Sequence, residues 1–329
     1  MSDLQFAFEA VTPIIIMVMV GYFLKKIRLI NADFAKSANK LVFRVFLPIK
    51  LFMNIYGIES MSAVDFGYVF YALIALVAIF LLAIPAVILL TDKKKCRGAL
   101  LQAIFRSNYA LIGIPLAERL FGAEGGAVAT LLSAFLVPAF NMLAVIGLSI
   151  FNNEGKKPEL MKVIKGILKN PLIIGIVTGL VALGVRSIFV NADIAFRLSS
   201  INVIWKPMSD LGSIATPLAL LVLGAQFEFS AIPHLKKEII TGVLLRSLVV
   251  PVLGIGVAFL AFRDNFGGAQ FAALVAAFCT PVAVSSVPMA QEMGADSDLA
   301  GQLVVFTTIT SALTVFLASF LLKSAGVFC

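Results

Sequence analysis

Apolar runs about twenty residues long, each closed by a charged or Gly/Pro-containing stretch, recur ten times along the chain. The hydrocarbon core of a bilayer is about 30 Å thick and a helix rises about 1.5 Å per residue, so about 20 apolar residues span it. The runs predict crossing helices at 4–24, 39–57, 66–90, 98–121, 125–151, 171–190, 203–227, 238–262, 268–293 and 299–322, numbered here as segments 1 to 10. The longest polar stretches are 152–170, NNEGKKPELMKVIKGILKN, and 189–201. The first is basic and predicts an amphipathic helix lying in the membrane interface from about Pro158.

Composition supports the bilayer as solvent. Of the 329 residues, 60% are apolar and 13% charged, against about 45–50% and about 25% in a soluble domain. This excludes a water-soluble globular protein, and it changes the meaning of the net charge of +8, which in a soluble protein would suggest nucleic acid as partner. With the N-terminus outside, the loops after segments 1, 3, 5, 7 and 9 carry 16 Lys and Arg and the opposite loops 6. The positive-inside rule therefore predicts both termini outside a cell membrane, the lipid bilayer as partner and no nucleic acid. The N-terminal MSDLQFAFEAVTP has neither a basic start nor a cleavage pattern, so segment 1 is expected to remain as a crossing helix. Cys96, Cys279 and Cys329 are widely spaced and odd in number, which excludes a disulfide framework and a metal site; no cofactor is expected.

The two halves of the chain resemble one another. TPIIIMVMVG in segment 1 and NPLIIGIVTG in segment 6 place Pro13 and Gly21 against Pro171 and Gly179 at equal spacing; Pro48 in segment 2 matches Pro217 in segment 7. In segments 4 and 9, Phe105, Ala110, Pro115 and Ala117 align with Phe278, Ala283, Pro288 and Ala290 at a constant offset of 173. Five crossings per half force opposite orientations, so the expected fold is an all-α polytopic membrane protein of ten transmembrane helices, built as an inverted five-plus-five repeat. Its parts are a first repeat at 1–151, a basic cytoplasmic linker at 152–170 and a second repeat at 171–329.

A proline inside a membrane helix frees backbone groups that only protein or a water-filled cavity can satisfy. Gly113-Ile114-Pro115 and Ser286-Val287-Pro288 are therefore expected to be paired breaks lining a site, with Pro115 and Pro288 at the first position of new half-helices whose positive ends attract an anion. A simple kink is the alternative for either proline alone.

At this point the residues resemble a family. RSNYALIGIPLAERLFG, NKLVFRVFLPIKLF, LLRSLVVP and PVAVSSVPMAQEMGADSDLAGQLVVFTTITS look like the auxin efflux carrier family, over the whole chain and most specifically in segments 4 and 9. The resemblance implies a scaffold part (segments 1, 2, 6, 7) and a transport part (3–5, 8–10). It further implies crossing of broken segments 4 and 9, substrate bound at the crossover, elevator motion and a homodimer formed through the scaffold. The chain has no long central cytosolic loop, and so resembles the compact bacterial members linked to malonate or malate.

Polar residues at membrane depth usually face a cavity or a partner. Asn108 and Tyr109, within two helical turns before the first break, and Ser285 and Ser286 in the second are candidate substrate contacts, the alternative being bonds between helices or to freed carbonyls. Arg246 and Arg106 are candidates for an anion-attracting vestibule; Arg44 and Lys50 are expected to make scaffold contacts or to snorkel. All nine Asp lie in loops or at helix ends, and within segments 4 and 9 the only Glu are Glu118 and Glu292, near helix ends. No carboxylate stands at the midplane to carry a proton or sodium ion. The expectation is a secondary transporter of a small organic carboxylate whose flux follows its gradient and the membrane potential. An anion channel and a sodium-coupled symporter are the alternatives. An enzyme is excluded by the sole histidine, His234, lying in a loop, and by the absence of intramembrane Asp and of a GxxxxGKS/T run.

Overall fold

The computed structural model of the chain describes residues 3–57, 65–151, 165, 168–191, 194 and 196–328. Apart from one isolated bridge, every regular element among them is helical. The expected interfacial helix from Pro158 lies outside the described residues.

Helix α1 spans Asp3–Lys26. Segment 2 begins earlier than its apolar run: Asn31 accepts from the Phe34 amide at 2.8 Å and caps an amphipathic α2 (Ala32–Leu41). A π-helical turn, Val42–Phe46, then leads into α3 (Leu47–Tyr56). Pro48 stands just inside α3, and the widened turn before it accommodates the missing donor and the ring. Helix α4 (Phe66–Leu90) starts on Asp65, which accepts from the Tyr68 amide at 3.2 Å.

Segment 4 is divided. Helix α5 (Lys94–Phe105) ends at Arg106; the chain resumes in a π-helical turn at Tyr109–Gly113 and continues as α6 (Ile114–Phe151). Helix α6 itself reverses at Phe121 and Gly122, the latter at φ 63°, where glycine is the favoured residue. A Cβ on Gly125 would lie 2.4 Å from the Ala117 carbonyl, so the two arms of that turn are in contact.

In the second half come α7 (Pro171–Asn191), α8 (Asn202–Gln226) and α9 (Ile232–Leu244). Helix α9 continues through π-turns at Leu245–Val249 and Val252–Gly256 into α10 (Val257–Phe262). These turns flank Pro251, and the carbonyl of Ser247, four residues before it, accepts from Thr314 Oγ1 at 3.2 Å. Segment 9 is also divided, into α11 (Gly268–Phe278) and α12 (Ser286–Glu292); α13 (Ser297–Ser324) follows, capped by Asp296 on the Leu299 amide at 2.8 Å.

Two expectations are thereby corrected. The first break is at Arg106–Asn108, seven residues before Pro115, which lies inside a helical run rather than at its first position. The second occupies 279–285, so Pro288 is the third residue of α12. Pro288 falls in the first turn of α12, where its missing amide has no intrahelical partner to lose, whereas Pro115 follows a widened π-helical turn that accommodates its ring.

Among the described residues, six helical stretches are long and apolar enough to cross a membrane, and α5, α11 and α12 are the short pieces on either side of the breaks. Helix α11 is central: Ala269 and Phe271–Phe278 are all buried. Large apolar side chains remain exposed on the outer faces of α4, α7 and α13, including Phe70, Leu82, Val181 and Leu313, as lipid solvation requires.

Candidate functional site

The two breaks lie against each other. Ser107 forms an antiparallel bridge with Val282, and the Asn108 amide donates to the Pro281 carbonyl at 2.8 Å. Ser107 and Thr280 bond through their hydroxyls, and Thr307 Oγ1 accepts from the Val282 amide at 3.1 Å. The offset of 173 that aligns segments 4 and 9 pairs Ser107 with Thr280 and Asn108 with Pro281, so each break bonds to the aligned residues of the other. Extended backbone at this depth is viable because these partners and Arg246 satisfy it.

Arg246 is 2% exposed and its guanidinium donates to main-chain carbonyls. Nε and Nη2 reach Thr280 O at 2.9 and 2.6 Å, Nη1 reaches Ile104 O at 3.2 Å and Phe105 O at 3.4 Å, and Nη2 reaches Ala277 O at 3.4 Å. These carbonyls end α5 and α11, where unpaired acceptors and the negative dipole ends favour a cation. Arg246 therefore ties the two incoming half-helices together, and does not line the cavity described next.

Arg106 sits in the first break, 2% exposed. Nη1 donates to Gln102 Oε1 at 2.9 Å and Ser286 Oγ at 3.3 Å and touches Met289 Sδ; Nη2 donates to Asn141 Oδ1 at 2.7 Å and Ser285 Oγ at 2.8 Å. All five partners are neutral, and among the described residues no carboxylate pairs with this charge. Beside it opens a cavity of about 80 Å³. Its walls come from both breaks (Arg106, Asn108, Ser285), from α6 (Asn141), from α3 (Lys50, Asn54) and from α8 (Thr216). Lys50 Nζ donates to Thr216 Oγ1 at 2.8 Å. The described lining thus holds two cations and no acidic side chain, and the buried Nδ2 of Asn108 has no acceptor. Chemically, the arrangement presents positive charge and directed hydrogen-bond donors to the cavity.

The structure brings Asn108, Tyr109 and Ser285 to the cavity. Asn108 is in the break itself, not on a helix before it. The Tyr109 hydroxyl is committed to Ala129 O at 3.0 Å, leaving its ring as wall. Ser286 touches Arg106 from behind. Gly113, Ile114, Pro115, Val287 and Pro288 do not line the cavity; a Cβ on Gly113 would be 3.0 Å from Ala276 O, which makes that glycine a packing residue against α11. From the sequence Asn141 could line the cavity or pack between helices, and the structure puts it on the wall; sequence reasoning did not place Lys50, Asn54 or Thr216 at the site. A signal was present: Lys50 and Thr216 flank Pro48 and Pro217, the matched prolines of segments 2 and 7.

The sequence profile of a family described as "Membrane transport protein" matches residues 6–319. Two archaeal proteins are similar over nearly the full length. One, from Methanothermobacter thermautotrophicus and named an uncharacterized transporter, is 24% identical over 95% of this chain and 98% of its own. The other, an uncharacterized transporter of Methanocaldococcus jannaschii, is 24% identical over the same shares.

Proposed function

The chain belongs to the membrane transport protein family, that of the auxin efflux carriers, and on that premise we propose that it is a secondary transporter of a small organic carboxylate. The observation that carries the reading is the cavity between the breaks and α3/α8, with Arg106 and Lys50 on its walls, no acidic lining residue and an unpartnered Asn108 amide. A carboxylate supplies both the charge and the acceptor oxygens that this arrangement lacks. The volume of about 80 Å³ favours a compact acid.

The proposed architecture is ten crossings in an inverted repeat with both termini outside. The 173-residue correspondence, realised as bonds between the two breaks, supports the repeat. The asymmetry of basic loops supports the orientation. One wall of the cavity is formed by α3 and α8 and the other by the breaks and α6, so sliding of one group past the other carries the bound anion across. The dimer is formed through the scaffold helices. With no carboxylate on the described lining, transport follows the anion gradient and the membrane potential rather than a proton or sodium gradient.

Uptake of labelled malonate, malate, lactate and indole acetate into proteoliposomes tests this. We expect one of these acids to enter in a saturable, voltage-sensitive manner that is unchanged by protonophore at clamped potential or by sodium removal, and to require about tenfold more acid for half-maximal uptake in Asn108→Ala. Uptake that stops on sodium removal at the same voltage makes the protein a symporter. Conductance far above carrier rates, with no exchange between substrate pools, makes it a channel.

A further inference from the structure

We propose that the cavity beside Arg106 also binds a monatomic halide, chloride under cellular conditions, and that the carboxylate displaces it. The displacement rests on the transport reading above; halide binding rests only on the cavity. Five neutral acceptors satisfy the directional needs of the Arg106 guanidinium and leave its net charge uncompensated. Isolating an ion from water costs several kcal/mol even after the surroundings relax, so a buried cation calls for a counter-ion. Lys50 adds a second positive charge on the opposite wall, bonded among the described residues to the Thr216 hydroxyl.

A further donor points the same way: Asn108 Nδ2 is a buried amide group without an acceptor on the cavity wall. An unsatisfied buried donor is costly, and beside a cation the acceptor that answers both needs is an anion. Water would satisfy the amide and leave the charge. A cavity of about 80 Å³ accommodates a chloride ion.

The test is the thermal midpoint of the purified full-length protein, titrated with sodium chloride against sodium gluconate at constant ionic strength. Wild type, Arg106→Gln and Asn108→Asp are compared, with malonate, malate, lactate and indole acetate titrated in parallel. The Asn108→Asp variant keeps the side-chain shape and places a carboxylate beside Arg106, so it supplies its own counter-ion. The expected result is a saturable rise of about 2–4 °C with chloride in wild type and none in Asn108→Asp. If Arg106→Gln does not fold, Asn108→Asp decides alone. Bromide crystals should show an anomalous peak between Asn108 and Arg106. Equal midpoints in chloride and gluconate, or a chloride shift undiminished in Asn108→Asp, overturns the proposal. Malonate stabilisation without chloride stabilisation overturns the halide site and leaves the transport reading standing; chloride stabilisation with none by malonate, malate, lactate or indole acetate overturns the reading and leaves the site.

Discussion

Two buried arginines show how environment assigns a role. Arg246 and Arg106 are equally buried, but the first faces helix-terminal carbonyls and the second faces side chains at a cavity. Removing Arg246 leaves the carbonyls of Thr280, Ile104 and Phe105 without their donor, so Arg246→Ala is expected to cost about 3 kcal/mol, read as a lower thermal midpoint. Lysine supplies charge without the fork and should recover only part of the loss. For Asn108→Ala the expectation is the opposite pattern: a midpoint within a degree or two of wild type, and anion affinity reduced about tenfold, the value of one directed hydrogen bond to a charged group, measured by titration. The sequence marked both arginines as candidates for an anion-attracting vestibule and favoured Arg246, whereas Arg106 is the one on the cavity wall, since the distinction depends on which carbonyls the fold brings near.

At the scale of elements, glycine and proline positions in the two halves perform matching tasks. Gly21 on α1 faces α8, where a Cβ would lie 2.0 Å from Leu221 O; Gly179 on α7 faces α3, where a Cβ would lie 3.2 Å from Phe52 O. Leu221 and Phe52 each follow the matched prolines Pro217 and Pro48 by four residues. Close helix approach thus recurs at equivalent places. Gly21→Ala must push backbone against backbone, while Gly179→Ala needs only a few tenths of an ångström. The first should cost about 1–3 kcal/mol and the second less, measured as paired thermal midpoints. The long apolar elements α4, α7, α8 and α13 were legible from their hydrophobic runs. The first break position was not, because helical pairing ceases at Arg106, a residue with no breaking propensity of its own, and that end is set by tertiary partners, Arg246 and the opposite break. The second had a local signal in Pro281, two residues past Cys279, which stops α11.

At the scale of the molecule, the group containing α2, α3 and α8 meets the tip of α12 in a polar contact. Asn39 Nδ2 donates to Gln226 Oε1 at 2.8 Å and also bonds Gln291 Oε1; Arg44 Nε pairs with Glu292 Oε2 at 3.1 Å. In the orientation proposed above this end faces the cytoplasm, and the proposed elevator motion of one group past the other requires the contact to open in each cycle. A disulfide between Asn39→Cys and Gln291→Cys is therefore expected to abolish uptake, with recovery on reduction; full activity of the cross-linked protein would mean that these groups do not separate. Orientation has its own check, since a C-terminal alkaline phosphatase fusion should be active and a C-terminal fluorescent protein fusion dark in a bacterial host. The low charged fraction and the loop asymmetry made the membrane setting legible at once. The cavity was only half legible, because its α3 and α8 wall joins residues more than 150 positions apart in the chain.

The central claim is that a small organic anion binds where the breaks meet. It is tested most directly by titrating the purified protein with malonate, malate, lactate and indole acetate while following thermal stability in wild type, Asn108→Ala and Lys50→Ala. The account predicts that at least one acid stabilises wild type in a saturable manner and that both substitutions weaken the effect about tenfold or more. An acid that stabilises all three proteins equally at the same concentrations would contradict it.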